Sequence, residues 1–540
     1  MREQDDNEYS RRLWLVAGVV LMLGVAVTLL ANYVVPGIIT AAYAGRGFSA
    51  ANRFFASRQN QPLEYYLQLW RNAANSALLV WIGFALLMPV VGSQRFFRKF
   101  VGTADASQLG AIRVLVCGVV LMNLLWVNLA STTLLPHSMR EPMGLFHAAQ
   151  SLPGFSRFEA SVAALRMFQI VLILVTAAAM TGWRTRWTVP LACIGYFLEG
   201  GLLRQYSHFY HSGMASMDLL AVLSFTPCGD GFSIDARGKP PRARSRTYGW
   251  ARYACWVTLA MIYFSAGLSK LRTGGLQWSG ASNLRAITLT DTLNPMQYDF
   301  KLSLQFAHAP DWVFVALGIG TIAIEILYPA VLFSRVARRI FPIAAVAMHV
   351  GIWLLQNVLF YDLILLQLIF LIRPAREVGE DEARARAAPL LVCVLAGIMM
   401  LVWAYKVEIY PFTAWQMYAM PSSDSSVTYY KLLERHRSGA WETSHPERTI
   451  GALKDAFYRR QLAMIFEPST ATRAAEFFQT YANVHNRSAP DPIVAIEVQK
   501  WIWHPRDASE PLGGVMVGKQ TVATDISGGR RAGGSSTRGR

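Results

Sequence analysis

MIYFSAGLSKLRTGGLQWSGASNLRAI, residues 261–287, decides how the rest of the chain is read. An apolar run ends in one lysine, Lys270, and a Gly-rich turn with Trp278 and Gly280 follows. One primary amine therefore stands at the mouth of a membrane helix. A lysine desolvated at such a boundary is disfavoured as the ammonium ion, and a neutral amine is a usable base or nucleophile. The plainer reading is that Lys270 snorkels to the headgroups, as lysines near helix ends routinely do.

Working outward, 53% of the 540 residues are hydrophobic and 16% charged, and several segments run close to twenty residues without a charge. That composition predicts a polytopic membrane protein. The net charge of +17 sits in short loops between apolar segments and accompanies no nucleic-acid-binding pattern, so membrane topology accounts for it. The predicted fold is an all-α helical bundle of about 11 spans with a small exported α+β domain. Spans are expected near 13–39, 75–91, 113–135, 160–182, 187–203, 213–225, 248–270 and 312–332. Residues 340–372 are too long for one crossing of ~30 Å and are split at Gln356 and Asn357; a last span covers 388–405. With a cytoplasmic N-terminus, the basic clusters at 95–99, 184–186, 237–246, 335–339 and 373–386 all fall on the side of Arg11 and Arg12. Odd parity then places the C-terminal domain and Lys270 at the outer face of an inner membrane.

The domains expected are 1–104, two N-terminal spans and a loop; 105–380, the main bundle; 381–405, the last span; 406–525, the exported domain; and 526–540, a disordered Gly/Ser/Arg tail. Within the exported domain, SSVTYYKLLERHRSGAWET predicts a hairpin, 449–465 and 471–484 have helical spacing, and PIVAIEVQKWIWH alternates as a strand. The five cysteines lie in or beside spans, so neither a disulfide framework nor a zinc spacing is expected. No metal or nucleotide site is predicted.

Ionisable residues inside apolar spans are costly and so mark function or inter-helix locks. Glu325, in TIAIEILYPAVLF, and His349, in AAVAMHVGIWLL, are the foremost after Lys270. Glu199 and Asp218 read as snorkelling and helix-locking residues. His208 and His211, three apart on a shared helix face, are compatible with metal ligation or with contact to a quinone headgroup or substrate, but two histidines lack the further ligands a metal needs, and Tyr206, Phe209 and Tyr210 equally describe an interfacial aromatic belt.

YFSAGLSKLRTGGLQWSG resembles the signature helix of the HTTM domain, shared by vitamin K-dependent γ-glutamyl carboxylase and bacterial relatives. Collinear pieces support the resemblance: DASQLGAIRVLVCGVVLM at 105–122, FTPCGDGFSIDA at 225–236, EILYP at 325–329 and HVGIWLLQNVLFYDLILL at 349–366. The resemblance implies that Lys270 is the base acting on a reduced quinone, a vitamin K-like hydroquinone, with His349, Glu325, His208, His211 and Trp278 lining the cofactor pocket. Its partners would be the lipid bilayer, the quinol and an exported peptide or protein, with no nucleic acid. Two features depart from the carboxylase: the C-terminal domain is small, and two extra spans precede the matched region. An alternative reading is a non-catalytic scaffold or accessory protein whose exported domain binds a partner.

Overall fold

The computed structural model describes residues 2–48, 51–52, 61–206, 210–240, 242–296, 298–373, 380–381, 388–420, 426–453, 455–505, 507 and 510–524. His208 and the tail 526–540 lie outside the described residues. The architecture is mostly helical, with a small sheet near the C-terminus. Apolar helices dominate: α1 (Arg2–Tyr43), α2 (Leu63–Val91), α3 (Ala106–Trp126), α4 (Val162–Thr181), α5 (Thr185–Arg204), α6 (Met214–Ser224) and α7 (Arg246–Gly274). There follow α8 (Ala281–Leu293), α9 (Asp311–Leu327), α10 (Ala337–Gln356), α11 (Tyr361–Leu366) and α12 (Ala388–Ala404).

Among the described residues seven of these helices are long and apolar enough to cross a membrane, and three shorter apolar helices accompany them. The split in 340–372 falls where the sequence places it. Asn357 caps α10 in the left-handed region at φ 59°, which asparagine tolerates better than most residues. Several boundaries differ from expectation: α2 begins at Leu63 rather than near 75, and α3 at Ala106 rather than 113. The third apolar helix ends at Trp126, and a short 3-10 turn, Leu129–Leu134, takes up the remaining apolar residues. Residues 271–311, expected as a loop, contain α8; its buried positions mix Leu284, Ala286 and Leu289 with Asn283, Arg285, Thr288 and Asp291, so no clean division into apolar and polar faces marks it.

α7 is the central element, with 19 of its 29 residues buried, and it packs against α3, α6, α9 and α12. Two of the short motifs meet on this frame. A Cβ on Gly110 of α3 would lie 2.1 Å from the Gly231 carbonyl oxygen, so only glycine lets the 228–232 loop lie on the helix. The fully buried Arg113 then donates to the carbonyls of Cys228 and Phe232, which have no strand or helix partner to turn to.

The C-terminal sheet has the order β2-β1-β3-β4: β1 (Val427–His436), β2 (Trp441–Thr443), β3 (Ile493–Trp503) and β4 (Val515–Ala523), all antiparallel. Helices α13 (Asp455–Met464) and α14 (Ala471–Asn486) complete it. β4 was not among the expected strands. It is an edge strand whose side chains are mostly in solvent, so it carries little apolar alternation. The sheet region is fastened to the bundle at several points. Arg459 pairs with Asp291 of α8 at 2.8 Å, Tyr418 donates to the same carboxylate at 2.9 Å, and Arg473 and Arg460 both grip Glu141, at 2.6 and 2.9 Å.

Candidate functional site

Tyr263, Gly267 and Lys270 lie at i, i+4 and i+7 on α7, which puts them on one helix face over about 10 Å of rise. That face meets α9. Gly267 allows the approach, because a Cβ there would lie 2.9 Å from Cβ of Glu325. With α9 this close, Lys270 Nζ stands 2.8 Å from Glu325 Oε1, both side chains about 5% exposed (4% and 6%). A charge so deep is tolerated only with a partner, and here each supplies the other's. The Trp278 ring lies 5.3 Å from the ammonium nitrogen.

Lys270 is therefore not at a helix mouth. α7 continues for another turn to Gly274, and the segment 410–420 closes over it. Ser269 donates to the Ala414 carbonyl at 3.0 Å and the Trp278 indole N–H to that of Tyr418 at 2.6 Å. The headgroup reading of this lysine does not survive that burial.

His349 joins a second cluster one helical stage away on the same face of α7. Its Nε2 is 2.8 Å from the Tyr263 hydroxyl, and that hydroxyl accepts from Gln367 Nε2 at 3.0 Å. Tyr263 thus has its own hydrogen to give to His349, so Nε2 accepts and Nδ1 carries the imidazole proton. The Tyr263 ring stacks on Tyr328, centroids 4.3 Å apart and 11° from parallel, and Tyr328 in turn donates to Gln367 Oε1. Two buried polar atoms of these clusters have no hydrogen-bond partner: Glu325 Oε2 and His349 Nδ1. An unmet acceptor and an unmet donor in a dry site are the features a polar ligand would satisfy.

The remaining predicted residues are distributed differently. Trp278 is with Lys270. His211 belongs to a separate cluster, its Nε2 2.9 Å from Thr413 Oγ1 and 3.8 Å from Glu408, with the ring 5.5 Å from that of Trp415. Thr413 donates to Glu408 at 2.9 Å, and burial raises the Glu408 carboxyl to about 7. Asp218 lines an apolar cavity of about 720 Å³ between α6, α7 and α12. Its α7 wall includes Ala254, sixteen residues and about 160° around the helix from Lys270, so the cavity and the amine occupy opposite faces. Sequence reasoning passed over Tyr263, Tyr328 and Gln367. The only available signal was one glutamine in an apolar run and tyrosines that read as core.

A family model for the HTTM domain matches residues 102–374. No curated protein and no solved structure matches the chain.

Proposed function

This chain belongs to the HTTM family, and from that premise we propose that it is a membrane enzyme whose Lys270–Glu325 pair moves a proton at a buried site. The observation that carries the reading is the dry 2.8 Å pair with an orphaned carboxylate oxygen beside it. When the shared proton rests on Glu325, Lys270 presents a neutral amine able to take a proton from a hydroxyl. When it rests on Lys270, the lysine is an ammonium ion and cannot act as the base. Glu325 thus sets whether Lys270 can act, and Trp278 and the 410–420 segment keep water from competing for the proton.

The residues present fit a hydroquinone. Glu325 Oε2 would accept from one hydroxyl, His349 Nδ1–H would donate to an oxygen, and the Tyr263–Tyr328 stack offers an aromatic wall. Such a quinol would supply an acidic hydroxyl and reducing equivalents. Tyr263, held by Gln367, fixes the His349 tautomer with its hydrogen on Nδ1. His211 contributes to a different cluster and is left out of this pocket.

The proposal includes the topology: eleven crossings in an inner membrane, the N-terminus in the cytoplasm and the sheet domain outside, where an exported polypeptide would be the acceptor. It rests on the segregation of the basic clusters. The test is quinol consumption and epoxide formation by purified protein in detergent with reduced naphthoquinone and oxygen, wild type against Lys270→Ala. Lys270-dependent turnover is the expected result. No turnover by folded protein across several quinols would overturn the enzyme reading and leave the scaffold, for which the buried Lys270–Glu325 pair would then be an inter-helix lock.

A further inference from the structure

The inner face of β1 carries a second group of ionisable side chains, far in sequence from Lys270. Residues 432, 434 and 436 share one face of the strand by its two-residue period, and α14 covers that face. Glu442 of β2 pairs directly with Glu434, so it projects from the same side. Two like charges opposite one another across a ladder destabilise it unless a cation lies between them.

The hydrogen bonds around these residues leave a specific set of lone pairs. Tyr481 of α14 donates to Glu434 Oε2 at 2.8 Å, which leaves Oε1. His436 Nδ1 is 3.0 Å from the Asp491 carbonyl oxygen, which can only accept, so Nδ1 carries the hydrogen and Nε2 a lone pair. His436 is 8% exposed, and its Nε2 is buried with no hydrogen-bond partner. Nε2 and Glu434 Oε1 stand 3.4 Å apart. Two ligands of a tetrahedral ion with bonds of about 2.1 Å are separated by about 3.4 Å. With a Glu442 oxygen, the three ligand atoms lie within 4.8 Å of one another.

We propose that Glu434, His436 and Glu442 bind a divalent first-row transition cation of the zinc type. The donor set, one imidazole and two carboxylates, supplies three ligands of the nitrogen and oxygen kinds that zinc takes and leaves a fourth position open. A cavity of about 550 Å³ lined by His436, Glu442 and His485 of α14 adjoins these ligands, so water or an incoming group can reach them. The supporting contacts are in place: Tyr481 orients Glu434, and the Asp491 carbonyl fixes the His436 tautomer with its lone pair inward. Arg448 also lines the cavity; its side chain is exposed and can turn to solvent when a cation enters. Bound there, the ion would tie the β1–β2 hairpin together and relieve the Glu434–Glu442 opposition.

The test uses the untagged full chain in detergent, stripped with a chelator and titrated with Zn2+ by calorimetry, with Co2+ as the spectroscopic probe. One equivalent of Zn2+ per chain and tetrahedral Co2+ absorption bands are expected. Glu442→Gln, on an exposed side chain that leaves the fold untouched, should weaken binding at least tenfold, and His436→Gln should abolish it. Should folded wild type fail to bind stoichiometrically, His436 Nε2 instead carries a proton shared with Glu434, and the proposal fails. Binding that survives both substitutions unchanged overturns it equally.

Discussion

Removing either partner of the buried pair should be far more harmful than removing both. Lys270 and Glu325 sit 2.8 Å apart with side chains 4% and 6% exposed, so Lys270→Met strands a carboxylate and Glu325→Leu strands an ammonium. An uncompensated buried charge of this kind costs about 3–5 kcal/mol, whereas replacing the whole pair with apolar side chains of similar volume is commonly close to neutral. The double variant should therefore recover most of the loss, with a coupling energy of about 3 kcal/mol or more. Unfolding in mixed detergent micelles measures the four corners of the cycle. The protein provides its own control. Arg71 and Glu64 are 3.3 Å apart but 59% and 68% exposed, and their cycle should give under about 1 kcal/mol. Additive losses at Lys270 and Glu325, or a coupling no larger than the control's, would refute the claim that the pair is dry and mutually dependent. The cycle also separates packing from chemistry, because the double variant should regain stability and still lack quinol turnover.

Tyr263→Phe takes a hydrogen bond from both His349 and Gln367 in a buried network, and should cost about 1–3 kcal/mol in the same unfolding assay; a change within about 0.5 kcal/mol would contradict the assigned network. Glu408 gives a pH signature. Burial raises its carboxyl to about 7 in the folded state, opposed by the Thr413 hydrogen bond, while the unfolded value stays near 4.5. Its protonated form therefore favours the fold at low pH, and that contribution is lost as pH rises from about 4.5 through about 7. The span is worth at most about 3 kcal/mol, since each unit is about 1.4 kcal/mol and a protonated His211, 3.8 Å away, would favour the carboxylate. Glu408→Gln should flatten that decline; a slope equal to wild type would remove Glu408 as its source.

What could be read from the sequence followed from local rules. Long apolar runs became helices, the asparagine at 357 ended one of them, and the alternation in 492–504 became β3. What could not be read depended on distant partners. α8 was missed because its buried positions mix apolar Leu284, Ala286 and Leu289 with polar residues, and those polar groups find their partners elsewhere: Arg285 donates to the carbonyls of Ala307 and Ala309, Thr292 to that of Leu355, and Asp291 receives Arg459. The β1 cluster was missed for a related reason. Glu434 and His436 are two apart, but Glu442 reaches them only through the strand register and His485 only through α14.

Lys270 shows the same division within a single residue. Its neighbours in sequence end an apolar run, which is why it reads as a lysine at a membrane boundary. Its dryness comes from residues 55 and about 145 positions away: Glu325, which approaches only because residue 267 has no Cβ, and Ala414, whose carbonyl anchors the covering segment through Ser269. If burial were a property of the span alone, exposing the 410–420 segment would leave Lys270 unchanged. Because the cover and the carboxylate both come from other elements, the reactivity of this amine is set by how tightly the segment after α12 and the glycine face of α7 close around it.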